Sequence, residues 1–337
     1  MQPALLSLRN INVVFKGRGG TVSAVRDVSL DITPGEIVSV VGESGSGKTT
    51  LGRVAALLQR PTSGSVLYKG LDTERIPERD LKRIKIRLQY VYQDPYSSLN
   101  PVKSVYETLA VVIRTHRKGI PESEVKRLVL DLLERVGLTP PEYFLNKYPH
   151  HLSGGMRQRL NIARALIPDP ELMVADEPVS MIDPSMKVSV LDLLKDLNAT
   201  SGVSLLYITH ELGTIRYLAP TSKLLVMLRG LVVEEGVAEE VMRKPLHPYS
   251  LALIVFGSAF EPKLKSMRDL FVKHAEYRGT PSAGCPFAAR CPWAREKCFR
   301  ERPPSVEYAG RKIACHFPGE VEQYWCCLLY TSDAADE

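Results

Sequence analysis

Residues 42–50, Gly-Glu-Ser-Gly-Ser-Gly-Lys-Thr-Thr, restrict this chain more than any other stretch. They fit the pattern G-x-x-x-x-G-K-[ST], which wraps a phosphate group. An apolar, β-rich run, Ile37-Val38-Ser39-Val40-Val41, precedes them, and a helix-compatible run, Leu51 to Gln59, follows. Strand, glycine loop and helix in that order is the context the pattern needs. The glycines let consecutive backbone N–H groups converge on one anion, and the helix N-terminus adds the positive end of its dipole. Gly42, Glu43, Ser44, Gly45, Ser46 and Gly47 form that cradle. Lys48 can reach β- and γ-phosphates, and the Thr49 hydroxyl, with Thr50 beside it, can ligate Mg²⁺.

The 337 residues give room for one large domain with an appendage, or for two domains. No apolar run approaches about 18 residues, so no membrane span is expected. The N-terminus lacks a basic stretch followed by an apolar one, so no signal peptide is expected and the chain reads as cytosolic. The formal charge is +6, with Lys and Arg scattered, which suits a mixed solvated surface better than a nucleic-acid-binding one. Cys327 to Glu337 resembles the conceptual translation of a sequencing-library adapter and is set aside as an artefact; a disordered acidic tail is the alternative.

Along the chain, residues 4–32 alternate apolar and polar positions around a glycine-rich turn and read as antiparallel strands. Phe15, before that turn, offers a flat ring either for stacking on adenine or for packing. Residues 75–85 are charged and helical in pattern, and 86–92 alternate as a strand. Gln93 to Pro101 is a loop rich in breakers. Residues 105–136 carry helical periodicity, with a fresh start signalled by Pro121, Glu122 and Glu124. Gly154 to Leu166 is helical, 171–175 is a short apolar strand, 185–197 is helical, and 203–208 is a buried-type strand. Residues 224–228 and 231–234 form a hairpin around Gly230. Strands alternating with helices imply a mostly parallel sheet with its chemistry at the strand C-terminal ends. After residue 240 the composition shifts, and 261–325 hold many prolines and few periodic elements.

Asp176-Glu177 follows the 171–175 strand directly. A strand-end Asp is where a phosphate-loop NTPase holds Mg²⁺, and the neighbouring Glu can act as general base toward water. Leu152-Ser153-Gly154-Gly155-Met156-Arg157-Gln158-Arg159 lies between Gln93 and this pair. On these residues the chain resembles the ATPase subunit of ABC transporters. Residues 42–50 match the Walker A loop, Gln93 the Q-loop, Ser153-Gly154-Gly155 the signature, Asp176-Glu177 the Walker B pair, Asp183 the D-loop and His210 the switch histidine.

The resemblance implies an α/β phosphate-loop NTPase fold of ABC type. It would comprise an ATPase domain over residues 1–244, with an antiparallel β subdomain and a helical subdomain near 100–168. It implies ATP and Mg²⁺ as cofactors, Glu177 as base, His210 on the γ-phosphate and attacking water, and Thr49, Gln93 and Asp176 on the metal. Phe15, residues 42–50, Ser153, Gly154, Gly155 and Asp183 would contact nucleotide. Ser153-Gly154-Gly155 opens a helix and so offers a second anion site, which one chain cannot use on the same ATP as its own loop. The family's answer is a head-to-tail pair, self or paralogue, docked through Gln93 and the helical subdomain onto two transmembrane permease subunits at the cytoplasmic membrane face.

Within that family the oligopeptide/dipeptide importers are nearest. The extended loop Gln93-Asp94-Pro95-Tyr96-Ser97-Ser98-Leu99-Asn100-Pro101, the stretch Leu246-His247-Pro248-Tyr249-Ser250 and the cysteines point there. A separate substrate-binding protein would deliver peptide; nickel or oligosaccharides are alternative cargoes. Cys285, Cys291, Cys298 and Cys315, spaced C-x5-C-x6-C-x16-C in an extension over 245–326, match tails that carry a [4Fe–4S] cluster in that subfamily. Read from spacing alone, they leave open a cluster, zinc or unligated thiols; disulfides do not suit a reducing cytosol. His151, Met181-Ile182 and Leu228-Arg229-Gly230-Leu231 depart from the family's commoner residues, but none of these falls on a phosphate-contacting position. A soluble ABC ATPase acting on nucleic acid would carry long coiled coils or tandem cores, and a GTPase would carry Asn-Lys-x-Asp. Here Asn146-Lys147 is followed by Tyr148-Pro149.

Overall fold

A computed structural model describes residues 3–17, 20–257, 264–275 and 283–322. Cys326 and the stretch 327–337 lie outside the described residues. The chain opens with two long strands, β1 (Leu6–Gly17) and β2 (Gly20–Ile32). β3 (Ile37–Val41), α1 (Lys48–Ala55), β4 (Ser63–Tyr68) and β5 (Leu71–Asp72) follow. Next come α2 (Glu78–Arg87), β6 (Leu88–Val91), α3 (Val105–His116), α4 (Glu122–Arg135) and α5 (Pro141–Phe144). α6 (Gly154–Leu166), β7 (Leu172–Asp176), α7 (Pro184–Ser201), β8 (Ser204–Thr209) and α8 (Leu212–Leu218) lead to the hairpin β9 (Lys223–Leu228) and β10 (Leu231–Val237). The rest is α9 (Ala238–Arg243), α10 (Pro248–Gly257), α11 (Lys265–Ala275), α12 (Glu296–Arg300), β11 (Val306–Tyr308) and β12 (Arg311–Ile313).

The described residues gather into two units. One holds those of Met1–Ile11, Ser29–Ile37 and Thr49–Thr209; the other holds those of Asn12–Val28, Val38–Lys48 and His210–Glu337. In the first, β8, β7 and β6 run parallel side by side, with Val174 opposite Tyr90 and Leu206. Every residue of β7 and β8 is buried, as expected for parallel strands covered on both faces. A four-stranded sheet in the order β2-β1-β4-β5 carries the early alternating segments.

The helices of this unit start where their residues dictate. Ser104 and Glu107 form a capping box on α3. Glu122 and Glu124 lie in the first turn of α4, after Pro121. The Ser153 hydroxyl caps α6 by accepting from the Met156 N–H. α3, α4 and α6 pack together through faces that include Leu109, Ile113, Val125, Val129 and Leu133.

In the second unit β3 runs parallel to β9, β9 turns back as β10, and β12 and β11 extend the same sheet. This ordered tail exceeds the sequence expectation for 261–325. β11 and β12 have three residues each, too few for any period to register. α11 was legible in principle, since Met267 and Phe271, four apart, are both buried.

Glu234 is fully buried at the centre of this unit. It accepts from the backbone N–H groups of Leu246 (3.1 Å) and His247 (2.9 Å) and pairs with Arg311 Nη1 at 3.1 Å. Burial pushes its carboxyl upward, and those donors and the guanidinium offset the cost. One carboxylate thereby ties β10, the segment before α10 and β12 together.

His247, also buried, accepts the Tyr249 N–H on Nδ1 at 2.9 Å, so the neutral ring supports the first turn of α10. Burial lowers its pKa to about 3 from 6.5. The folded state therefore binds fewer protons than the unfolded one. The stability is fully present above about pH 6.5 and is lost as pH falls toward 3, reaching about 2 kcal/mol at pH 5. Thermal melts at pH 7.5 and 5 should show that loss, and His247→Asn, which keeps an acceptor but does not titrate, should shrink it. An equal pH loss in the variant would contradict the assignment.

Candidate active site

In the second unit the glycine loop leaves β3 and ends at the start of α1. Two of its glycines are obligatory. A Cβ on Gly42 would collide with the Met227 carbonyl of β9, and Gly47 has φ of +100° and lies against the Ala24 carbonyl. The Ser46 carbonyl accepts from Gly230 N–H, whose own carbonyl accepts from Arg26 N–H, each at 2.8 Å. The β9–β10 turn thus pins the loop from one side. Lys48 is buried, with Nζ 2.7 Å from the Gly42 carbonyl and 2.9 Å from that of Glu43. An anionic ligand at the loop would accept from this ammonium more strongly than these two carbonyls do. Thr49 and Thr50 follow in the first turn of α1.

Glu43 has three further roles. Its N–H donates to Tyr249 Oη at 2.7 Å, and its carboxylate accepts from Nη1 and Nη2 of Arg290, each at 2.8 Å. It also lines, with His210, Tyr249, Phe271 and Arg290, an apolar-walled cavity of about 550 Å³. His210 is exposed, with Nε2 3.9 Å from Glu211. Phe15 is 45% exposed, so its ring is available for stacking rather than committed to the core.

In the first unit β7 delivers Asp176 and Glu177 at its C-terminal end. Asp176 is buried and accepts from Tyr90 Oη at 2.6 Å. Burial and that carboxylate push the Tyr90 phenol well up, so it acts only as a donor here. Glu177 has φ of +46°, a strained conformation for a non-glycine residue, locked by its N–H donating to the Ile208 carbonyl of β8 at 2.8 Å. Its Oε2 accepts from Gln93 Nε2 at 2.8 Å. Gln93 and Glu177, 84 positions apart, are thus brought together.

Ser153 stands exposed at the N-terminus of α6. Small residues follow it for a packing reason. A Cβ on Gly154 would lie 3.3 Å from the Met181 carbonyl, and one on Gly155 would lie 3.1 Å from the Met186 side chain. The segment bearing Asp183, which precedes α7, therefore packs on the signature helix. His151 sits in a 3₁₀ turn over Pro149–His151 and takes the Tyr148 N–H on Nδ1.

Cys285, Cys291, Cys298 and Cys315 line one small cavity together with His247, Phe287 and Trp293. All four are free thiols. Burial, reinforced by neighbouring cysteines, raises Cys285 and Cys291 and pushes Cys315 to about 12. Among the described residues no group of three or more His, Cys, Asp or Glu side chains is arranged to hold a metal ion.

The sequence and fold compare closely with characterised classes. The family model described as ABC transporter matches residues 25–180, and that of the oligopeptide/dipeptide transporter C-terminal region matches 233–298. A putative oligopeptide transport ATP-binding protein, YkfD of Bacillus subtilis, is 39% identical over 94% of this chain and 97% of its own length. The chain belongs to the ATP-binding proteins of ABC transporters. A putative peptide import ATP-binding protein of Brucella ovis is 36% identical over 92% of this chain and 97% of its own length. The ATP-binding cassette MJ0796, as a dimer in a post-hydrolysis state with ADP and Pi, superposes with a TM-score of 0.61. It is 29% identical, covering 69% of this chain and 98% of that one.

An ABC ATPase site of this kind includes groups that sequence reasoning did not single out. Tyr90 lies on an alternating strand, which places it inward but does not reveal its partner, Asp176. Arg290 lies beside Cys291 in the tail, with no local signal that it reaches the phosphate loop. No helix among the described residues is long and apolar enough to cross a membrane.

Proposed function

We propose that this ABC ATPase energises an importer for di- or oligopeptides, seated on the cytoplasmic membrane face with a second ATPase subunit and two permease subunits. A substrate-binding protein would bring the cargo. The observation that carries the coupling is the Gln93–Glu177 hydrogen bond. It joins the acid best placed as general base to the loop that the family turns toward its membrane partner. The peptide assignment draws its support from the relatives and from the match of residues 233–298 to the peptide-transporter C-terminal region.

In this reading residues 1–244 form the ATPase domain and 245–326 the extension. The loop 42–48 and Lys48 would neutralise the β- and γ-phosphates, Phe15 would stack on adenine, and Thr49, Gln93 and Asp176 would hold Mg²⁺. The metal, when bound, would supply charge neutralisation on the phosphate oxygens. Glu177 takes a proton from the water that attacks the γ-phosphorus, while the bond to the β–γ bridging oxygen breaks and ADP departs. His210 orients that water. Ser153, Gly154, Gly155 and Asp183 serve the nucleotide held by the partner subunit's loop.

The four cysteines fit a [4Fe–4S] cluster. What supports this is that all four line one small cavity, and a cluster of this kind takes four thiolate ligands.

Two outcomes check these assignments. Glu177→Gln should retain ATP yet lose turnover by about a thousandfold, and a strain carrying it should stop importing a labelled oligopeptide. Unchanged hydrolysis, or unchanged uptake, refutes the role. Protein purified without oxygen should carry iron and acid-labile sulfide in equal amounts, and losing Cys291 should abolish both. Colourless, zinc-loaded protein rules the cluster out.

A further inference from the structure

Glu43 presents a chemical problem. A carboxylate carried on a phosphate-cradling loop repels the anion that the loop binds. The structure resolves it with a residue 247 positions away. Arg290 Nη1 and Nη2 donate to Glu43 Oε2 and Oε1, each at 2.8 Å. Such bidentate pairing neutralises the carboxylate and fixes its direction. Tyr249 Oη accepts the Glu43 N–H at 2.7 Å, and the Glu43 carbonyl in turn accepts from Lys48 Nζ at 2.9 Å and from Ser46 N–H at 3.2 Å. Every polar group of Glu43 is therefore engaged, and one of its partners is the loop lysine.

Arg290 and Tyr249 are themselves held firmly. Arg290 ends a 3₁₀ turn over Ala288–Arg290. Its N–H donates to the Phe287 carbonyl at 2.9 Å, and Ala288 N–H donates to the Cys285 carbonyl at 3.1 Å. The Phe287 ring lies 5.1 Å from the guanidinium and 5.5 Å, edge-on, from the Tyr249 ring. The turn is bracketed by two of the cysteines, and Phe287 lines their cavity.

We infer that Arg290 and Tyr249 are positioning residues of the phosphate loop: they neutralise and orient Glu43, and through its carbonyl they set where the Lys48 ammonium stands. The inference rests on the reading that this loop binds ATP, but not on what the cysteines hold. It gives the C-terminal extension a role in nucleotide affinity.

The test is equilibrium binding of MgATP to the full chain. Arg290→Gln leaves the Glu43 carboxylate unpaired beside the phosphates and should weaken binding about tenfold. Glu43→Gln removes the carboxylate and serves as the background for a double-variant cycle. In that background Arg290→Gln should cost less than about threefold, so the double variant binds about as tightly as Glu43→Gln alone. A purely structural Arg290 would cost as much in that background as in the parent. Tyr249→Phe, which strands the Glu43 N–H, should weaken binding by about threefold. Lys312→Gln, an exposed charge of the same tail, should change nothing. If Arg290→Gln does not fold, Arg290→Lys, which keeps the charge but not the fork, is read with the same sign and the same cycle. Parent-like affinity in the Arg290 variant, or an Arg290 cost as large in the Glu43→Gln background as in the parent, overturns the inference. If the parent itself fails to bind MgATP, the ATP reading of the loop falls with it.

Discussion

Lys48 Nζ rests on the carbonyls of Gly42 and Glu43, and much of the second unit exists to keep those carbonyls in place. Gly42 has no Cβ because the Met227 carbonyl of β9 occupies that space. Gly230 binds the Ser46 carbonyl from the β9–β10 turn. Arg290 and Tyr249 hold Glu43 from the tail. The buried Glu234–Arg311 pair then ties the hairpin to the segment that delivers Tyr249 and to β12. A buried pair of this kind adds little net stability over an apolar substitute, but removing one partner would cost about 3–5 kcal/mol.

The acidic end of β7 follows a different logic. Asp176 is buried with a phenol donor, while Glu177 is forced to positive φ and given an amide partner from a loop. One carboxylate is fixed in a low-dielectric site, and the other is aimed by its backbone conformation at an amide on a separate loop. In the proposed reading that division would set a metal ligand beside a general base.

Much of this was readable from residues alone, where the signal is local. The strand at 37–41 and the helix from Gly154 to Leu166 emerge with the expected bounds, because each is fixed by its own period and flanking residues, while the helix after the phosphate loop starts at Lys48 rather than Leu51. What stayed hidden is partner choice at long separation. Nothing near Glu43 announces Arg290, and nothing near Asp176 announces Tyr90. β12 is held by pairing with β10 and β11 by pairing with β12, rather than by their own three residues. The four cysteines could be listed from sequence but not placed around one cavity, since that depends on how the turns from Cys285 to Cys315 close.

The measurement that bears most directly on this account is equilibrium MgATP binding by the full chain beside its Lys48→Ala variant, with thermal melting as the check on folding. The loop geometry predicts a folded variant whose affinity drops by about a hundredfold, the loss of a buried charge-assisted contact to phosphate. A folded variant that binds MgATP as tightly as the parent would contradict it.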